Sequence, residues 1–280
     1  MPDINALSIC SVQVSPLSEN KSALSTASGL ICNYKERVIL ITNWHVASGR
    51  NYQTDDILNS DQWTPEYLRI RLPIAVRKGD RIMSFHKFLD CDVELLGESG
   101  NQTSHRWFEH PEHGRNVDVV GLDVTYESGI SQAHGHDVAL PETSNVLSVM
   151  SRLFIVGHPL KSSVSPNQFP IYKSGTIASE PSVYDNVPMF LIDSKTKRGM
   201  SGSPVFRVEE APAIAAGETL FGGRKAASIG VRKKTTIDLV GIYSGREREE
   251  KELNEAELGI VWPLKECVFP ILDRIIAGNK

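Results

Sequence analysis

The chain has 280 residues, 40% of them hydrophobic, enough to bury a sizeable core in one large domain or two small ones, and disorder is excluded as its default state. The formal net charge is −4 with acidic and basic residues interspersed, so the basic stripe that binds a phosphate backbone is missing and nucleic acid is not expected as a partner. Four cysteines, Cys10, Cys32, Cys91 and Cys267, stand without CxxC spacing, which fits individually buried, reduced thiols better than a disulfide framework or a zinc site.

In chain order, the opening "MPDINALSICSVQVSPL" carries neither a basic n-region nor a long apolar stretch, and the longest aliphatic run, "VILI" at 38–41, is far too short to cross a membrane. A soluble cytoplasmic protein with no membrane partner is expected. Short runs rich in Val, Ile, Leu and Tyr follow, bounded by Gly, Asn, Ser or Pro: "ALSICSVQV", "ASGLICNY", "RVILITN", "LRIRLPIAV", "VDVVGLDV", "RLFIVGHP", "MFLID", "SPVFRV", "DLVGIYSG" and "GIVWP". Many short strands at such spacing predict a sandwich or barrel architecture rather than alternating βα units. Helix is expected only at the end, where Leu264, Val268, Ile271, Leu272, Ile275 and Ile276 recur at helical spacing, Pro270 implies a kink or a late start, and Gly278 stands where a stop would. The charge run "REREEKELNEAE" at 246–257 reads as a solvated loop or short exposed helix.

Three places along this pattern carry chemistry. In "KRGMSGSPVF" at 197–206, Ser201 stands between glycines that either shape a tight turn or aim a nucleophile. A serine hydroxyl becomes a useful nucleophile only with a histidine base, a group that orients the base, and donors aimed at the developing oxyanion. His45, in "VILITNWHVASG", follows a buried-type strand and precedes small residues suited to a short helical turn. Asp118, in "NVDVVGLDV", is an aspartate among apolar strand residues, costly there unless bonded, and a histidine Nδ1–H would satisfy it. Asp137, in "HGHDVALPE", is a second candidate that keeps the order His, Asp, Ser. Its neighbours Gly135 and Pro141 read as loop, so Asp118 is favoured. The interval from His45 to Asp118 is longer than a compact barrel needs, which predicts loops near 53–65 or 97–115. His105, His110 and His113 in "HRWFEHPEHGR" match no metal motif and read as a solvated loop, and no metal or cofactor is expected.

In this order, "TNWHV", "VDVVGL", "GMSGSPVF" and "VGIYSG", with "VGHP" and "GIVWP" between and after them, resemble the trypsin-like serine peptidases of the chymotrypsin fold, closer to the bacterial type than to the secreted digestive enzymes. The resemblance implies an all-β chain of two antiparallel six-stranded β-barrels with a C-terminal helix. One barrel, over 1–144, would carry His45 and Asp118; the other, over 145–280, would carry Ser201. It implies a serine endopeptidase acting on protein or peptide substrates, with Ser201 as nucleophile, His45 as general base and acid, and Asp118 orienting His45. The Gly199 and Ser201 amides would form the oxyanion hole. The alternative is a catalytically inactive module of the same fold used for protein binding. Lys195, Tyr243, Ser244, Gly245 and Arg246 would line the substrate pocket. Lys195 stands at the position of the pocket base, where it favours an acidic or small side chain unless the loop turns it to solvent. Met200 replaces the aspartate that pairs with a freed N-terminus in the secreted enzymes, so activity is expected without proteolytic maturation, with any regulation through loops or a partner protein.

Overall fold

The computed structural model describes residues 5–59, 62–78, 81–99, 102–130, 135–138, 147–160, 169–181, 186–221, 224–246 and 258–278, and the statements below concern these. The first half opens with a single helical turn, α1 (Leu7–Cys10), and builds one antiparallel sheet. Its strands are β1 (Ser11–Leu17), β2 (Ala27–Tyr34), β3 (Arg37–Thr42), β4 (Tyr67–Lys78), β5 (Arg81–Glu94) and, after a small hairpin β6 (Leu96–Ser99) and β7 (Gln102–His105), β8 (Val120–Asp123). The order is β5-β4-β1-β2-β3-β8, and a two-residue strand β9 (His136–Asp137) adds to β2 in parallel. The second half is a closed six-stranded barrel of β10 (Arg152–Gly157), β11 (Ile171–Ile177), β12 (Phe190–Asp193), β13 (Pro204–Phe221), β14 (Arg224–Arg246) and β15 (Leu258–Pro263), in the order β10-β11-β12-β15-β14-β13.

The all-β, chymotrypsin-like expectation is met, with one difference. The first half is a curved sheet and not a closed ladder: its edge strands β5 and β8 do not pair with each other, and residues between them bond back to the sheet at a few points. There Leu95 N–H donates to Glu66 O, Arg106 N–H to Leu95 O, and Phe108 and Gly121 exchange both backbone bonds. These pairings tie the connecting residues to the end of β5 and to β8. The expected boundary near residue 144 lies outside the described residues.

The run "VILI" has its reason in β3, whose residues Ile39–Thr42 are buried on both faces. Ile31 and Leu40 point inward to the sheet's own core with Val12, Val14 and Leu68. Leu30, Ile39 and Ile41 point the other way, into a core shared with Phe206, Ile242 and Trp262 of the second half. A strand with apolar neighbours on both faces loses the alternation of a half-buried one. The last segment makes a π-helical turn (Leu264–Val268) before the C-terminal helix (Phe269–Ala277). Pro270 therefore sits in the first turn of this helix, directly after the π-helical turn, and the Glu266 carbonyl four residues before it is bonded by His110 Nε2 instead. Gly278 ends it with φ +68°. Ile271 and Ile275 of this helix lie directly over Gly121 of β8, where a Cβ would come within 3.0 and 2.7 Å of them, so the end of the chain fastens onto the first half.

Loops occupy part of the interval before Asp118, but the hairpin β4–β5 takes up most of the rest. The charge run beyond residue 246 falls outside the described residues. All four cysteines are free and buried. Burial raises the Cys10 thiol to about 12 and Cys91 to about 11, and raises Cys32 and Cys267 as well. Because the thiolate is the reactive form, Ellman's reagent at neutral pH is expected to leave all four thiols untouched in the native protein and to titrate all four after denaturation.

Candidate active site

Strand β3 ends at Thr42, and Asn43 starts the short helix α2 (Trp44–Ser48), which Gly49 closes with φ +71°. His45 is on its first turn, 20% exposed at the side chain, facing a fully buried Asp118. Asp118 Oδ2 lies 2.6 Å from His45 Nδ1, and Asp118 Oδ1 accepts the His45 backbone N–H at 2.8 Å. The Ser244 hydroxyl donates to the same Oδ2, and the Asn43 side-chain amide donates to the Asp118 carbonyl at 2.6 Å. A buried carboxylate costs several kcal/mol unless donors surround it, and this one has three. An ionised carboxylate only accepts, so Nδ1 carries the imidazole proton and Nε2 is left as the acceptor. Asp118 itself lies just before β8, two residues short of the strand expected to contain it.

Asp137 does not approach His45. It is exposed on β9, where it accepts from Asn33 Nδ2 at 2.8 Å.

Ser201 occupies the turn between β12 and β13. Gly199 and Gly202 take φ of +94° and +84°, conformations that favour glycine. Neither position has room for a side chain. A Cβ on Gly199 would lie 2.6 Å from both His158 O and Leu160 N, and one on Gly202 would lie 2.0 Å from Ser28 O. Leu160 N–H holds the Arg198 carbonyl at 2.7 Å, and since C=O and N–H point oppositely across a trans peptide, the Gly199 N–H is turned away from Leu160. Among the described residues neither the Gly199 nor the Ser201 N–H has a protein acceptor. The Ser201 hydroxyl donates to the Ser244 carbonyl at 3.4 Å, a long contact.

The two halves meet around this turn with Ser28 at the centre of the contact. Ser28 on β2 donates its N–H to Ser201 O at 2.8 Å and its hydroxyl to Gly199 O at 2.8 Å, and it accepts the His158 N–H at 2.8 Å. His158 in turn reaches Ser11 O at 3.2 Å through Nε2, and its burial lowers it to about 4, so it is neutral at physiological pH. On the other side, β14 is bulged between Tyr243 and Gly245, which leaves Ser244 outside the ladder and aims its hydroxyl at Asp118. Ser244 was expected in the pocket wall; its side chain supports the acid instead. Ser28, Asn43 and His158 escaped the sequence reading. The signal available for them was the polar residue set in an apolar run in "ASGLIC", "ITN" and "VGHP".

Two further expectations change. Lys195 is exposed, while Ser194 and Thr196 beside it are buried. The backbone turns tightly at the lysine, Thr196 N–H donating to Ser194 O at 2.9 Å, and the lysine faces out, away from the position expected at the pocket base. The Arg246 side chain lies outside the described residues, although its backbone pairs with Gly259. The histidine loop is not solvated throughout. His110 is buried, donates from Nε2 to Glu266 O at 3.0 Å, and accepts the Glu112 and His113 N–H groups on Nδ1. Among the described residues no cluster of His, Cys, Asp or Glu could hold a metal ion. Met200 is buried in the barrel core with Leu153 and Phe190.

Residues 27–215 match the trypsin-like peptidase domain, and the chain belongs to that family. No curated protein sequence matches it. Among solved structures, Deg5 shares 14% identity at a TM-score of 0.50, over 98% of this chain and 92% of that one. The Rv3671c protease of M. tuberculosis in its active form shares 15% identity at a TM-score of 0.46, over 96% of this chain and 82% of that one. The fold is thus that of the chymotrypsin-like peptidases. No helix among the described residues is long and apolar enough to cross a membrane.

The glycine after the serine offers a direct check on how tightly the turn is held. Gly202→Ala would drive a Cβ into the Ser28 carbonyl, a backbone atom that cannot rotate away, and would force an L-residue to φ +84°. A loss of at least about 3 kcal/mol is expected, read as a lowered urea midpoint with an unchanged slope.

Proposed function

We propose that the chain is a serine endopeptidase that cleaves protein or peptide substrates through an acyl-enzyme on Ser201. The observation that carries this reading is the buried Asp118 carboxylate bonded to both the backbone and Nδ1 of His45, in a family of peptidases, with Ser201 on a glycine-framed turn beside it. His45 Nε2 takes the Ser201 proton as Oγ attacks the substrate carbonyl carbon. The carbonyl electron pair moves onto oxygen, where the Gly199 and Ser201 N–H groups receive it. The imidazolium then gives its proton to the leaving amine, the C–N bond breaks, and water repeats the sequence in reverse to free the acid.

One observation favours a second reading, an inactive module that binds proteins: the Ser201 hydroxyl points to the Ser244 carbonyl. Attack requires it to turn about χ1 toward His45. A fluorophosphonate probe decides between them. Labelling of the wild type that is absent in Ser201→Ala supports the peptidase; no labelling of the folded wild type supports the binding module. A cytoplasmic location belongs to the same reading, as does regulation through a partner protein.

A further inference from the structure

We propose that Tyr243 closes the floor of the cleft beside Ser201 and restricts the chain to substrates with a small uncharged residue, glycine, alanine or serine, on the acyl side of the cleaved bond. The proposal rests on the peptidase reading and sharpens it to a substrate class. Two backbone segments flank Ser201: residues 194–200, which lead up to it, and 243–246 on β14. The second is tied to the nucleophile turn by Gly202 N–H to Tyr243 O at 2.8 Å and Tyr243 N–H to Ser203 O at 2.9 Å. On the peptidase reading, a substrate residue acylating Ser201 sends its side chain between these segments.

The mouth of that space is open. Gly245, at φ +120°, presents no side chain, and a Cβ there would already stand 3.7 Å from Ser201 Oγ. The floor is not open. The Tyr243 side chain is buried, and its hydroxyl meets Thr196 Oγ1 at 2.5 Å, joining the two flanking segments in the interior. On the third side the ring lies flush against β15: a Cβ on Gly259 would be 2.5 Å from Tyr243 Cε2 and 3.2 Å from its hydroxyl oxygen. The glycine at 259 makes room for the tyrosine, and the tyrosine fills the room.

Charge follows from the same residues. Ser194, Thr196, Tyr243 and Gly259 are uncharged, Lys195 faces out, and the Ser194 hydroxyl is committed to Ser174 O at 3.1 Å. Among the described side chains of this floor, a basic or an acidic group pushed against it would lose its hydration without gaining an opposite charge. A bulky apolar one would have to displace a ring packed among Leu153, Phe190 and Val261, and close-packed interiors do not yield by that much.

The test is a panel of peptidyl diphenyl phosphonates that differ only in the residue next to phosphorus, run beside a fluorophosphonate with a plain alkyl chain. The alanine reagent is expected to inactivate the wild type on the order of 100-fold faster than the phenylalanine, arginine or glutamate reagents. In Tyr243→Ala the phenylalanine reagent is expected to gain most of that factor. Wild type that reacts as fast with phenylalanine, arginine or glutamate as with alanine, while the fluorophosphonate labels Ser201, overturns the proposal and leaves the peptidase reading standing. Absence of any labelling removes both. Should Tyr243→Ala not fold, the wild-type ranking alone decides.

Discussion

Ser201→Ala and His45→Ala are each expected to lower kcat on a peptide substrate by on the order of 10⁶, and the double variant by little more than either alone. The three groups act on one proton and one bond. Without the hydroxyl no acyl-enzyme forms; without the imidazole the hydroxyl keeps its proton. The positions tolerate the changes structurally. His45 projects partly into solvent from the first turn of its helix, and the only described contact of the Ser201 hydroxyl is the long one to the Ser244 carbonyl. Steady-state rates and thermal unfolding measured on the same preparations separate lost chemistry from lost folding. A double variant with the product of the two single losses would show that the residues act independently.

Asp118→Asn is expected to cost around 10⁴ in kcat. The carboxylate faces only donors: the His45 backbone N–H, His45 Nδ1 and the Ser244 hydroxyl. An amide there offers one oxygen in place of two and sets an NH₂ against a donor. If that NH₂ meets the ring, the imidazole takes the other tautomer and Nε2 carries the proton, leaving no base for Ser201. Asp137→Asn serves as the control. That side chain is exposed and its bond is to Asn33, so a small effect is expected. The reverse ranking in folded variants would move the orienting role to β9.

The sequence placed His45, Ser201 and their glycines because each stands where a strand gives way to a turn, and such changes of periodicity are local. The choice of Asp118 over Asp137 was also legible, since a lone aspartate among apolar residues implies a hidden partner. What stayed out of reach depends on turns and register. Whether Lys195 faces the cleft or the solvent is decided by the tight turn of the backbone at that residue. Ser244 reaches Asp118 only because a bulge, set by pairing between β14 and β15, re-aims it. The hairpin β13–β14 runs on to Phe221 and Arg224 through small and charged residues with no apolar alternation, so nothing in composition announced it.

The dependence of Asp118 on Ser244 gives the molecule an order of events during its own synthesis. A ribosome delivers His45 and Asp118 well before the serine, so the first half emerges with a base and no nucleophile. The turn bearing Ser201 comes next, but β14 is still unmade, and β15, which closes the barrel between β12 and β14, follows both in the chain. Only when that strand inserts and the final helix settles over Gly121 are Ser244, Asp118 and Ser201 held together. On the peptidase reading, a chain that still lacks β15 therefore holds its base and its nucleophile without the support that joins them, and competence depends on closure of the barrel.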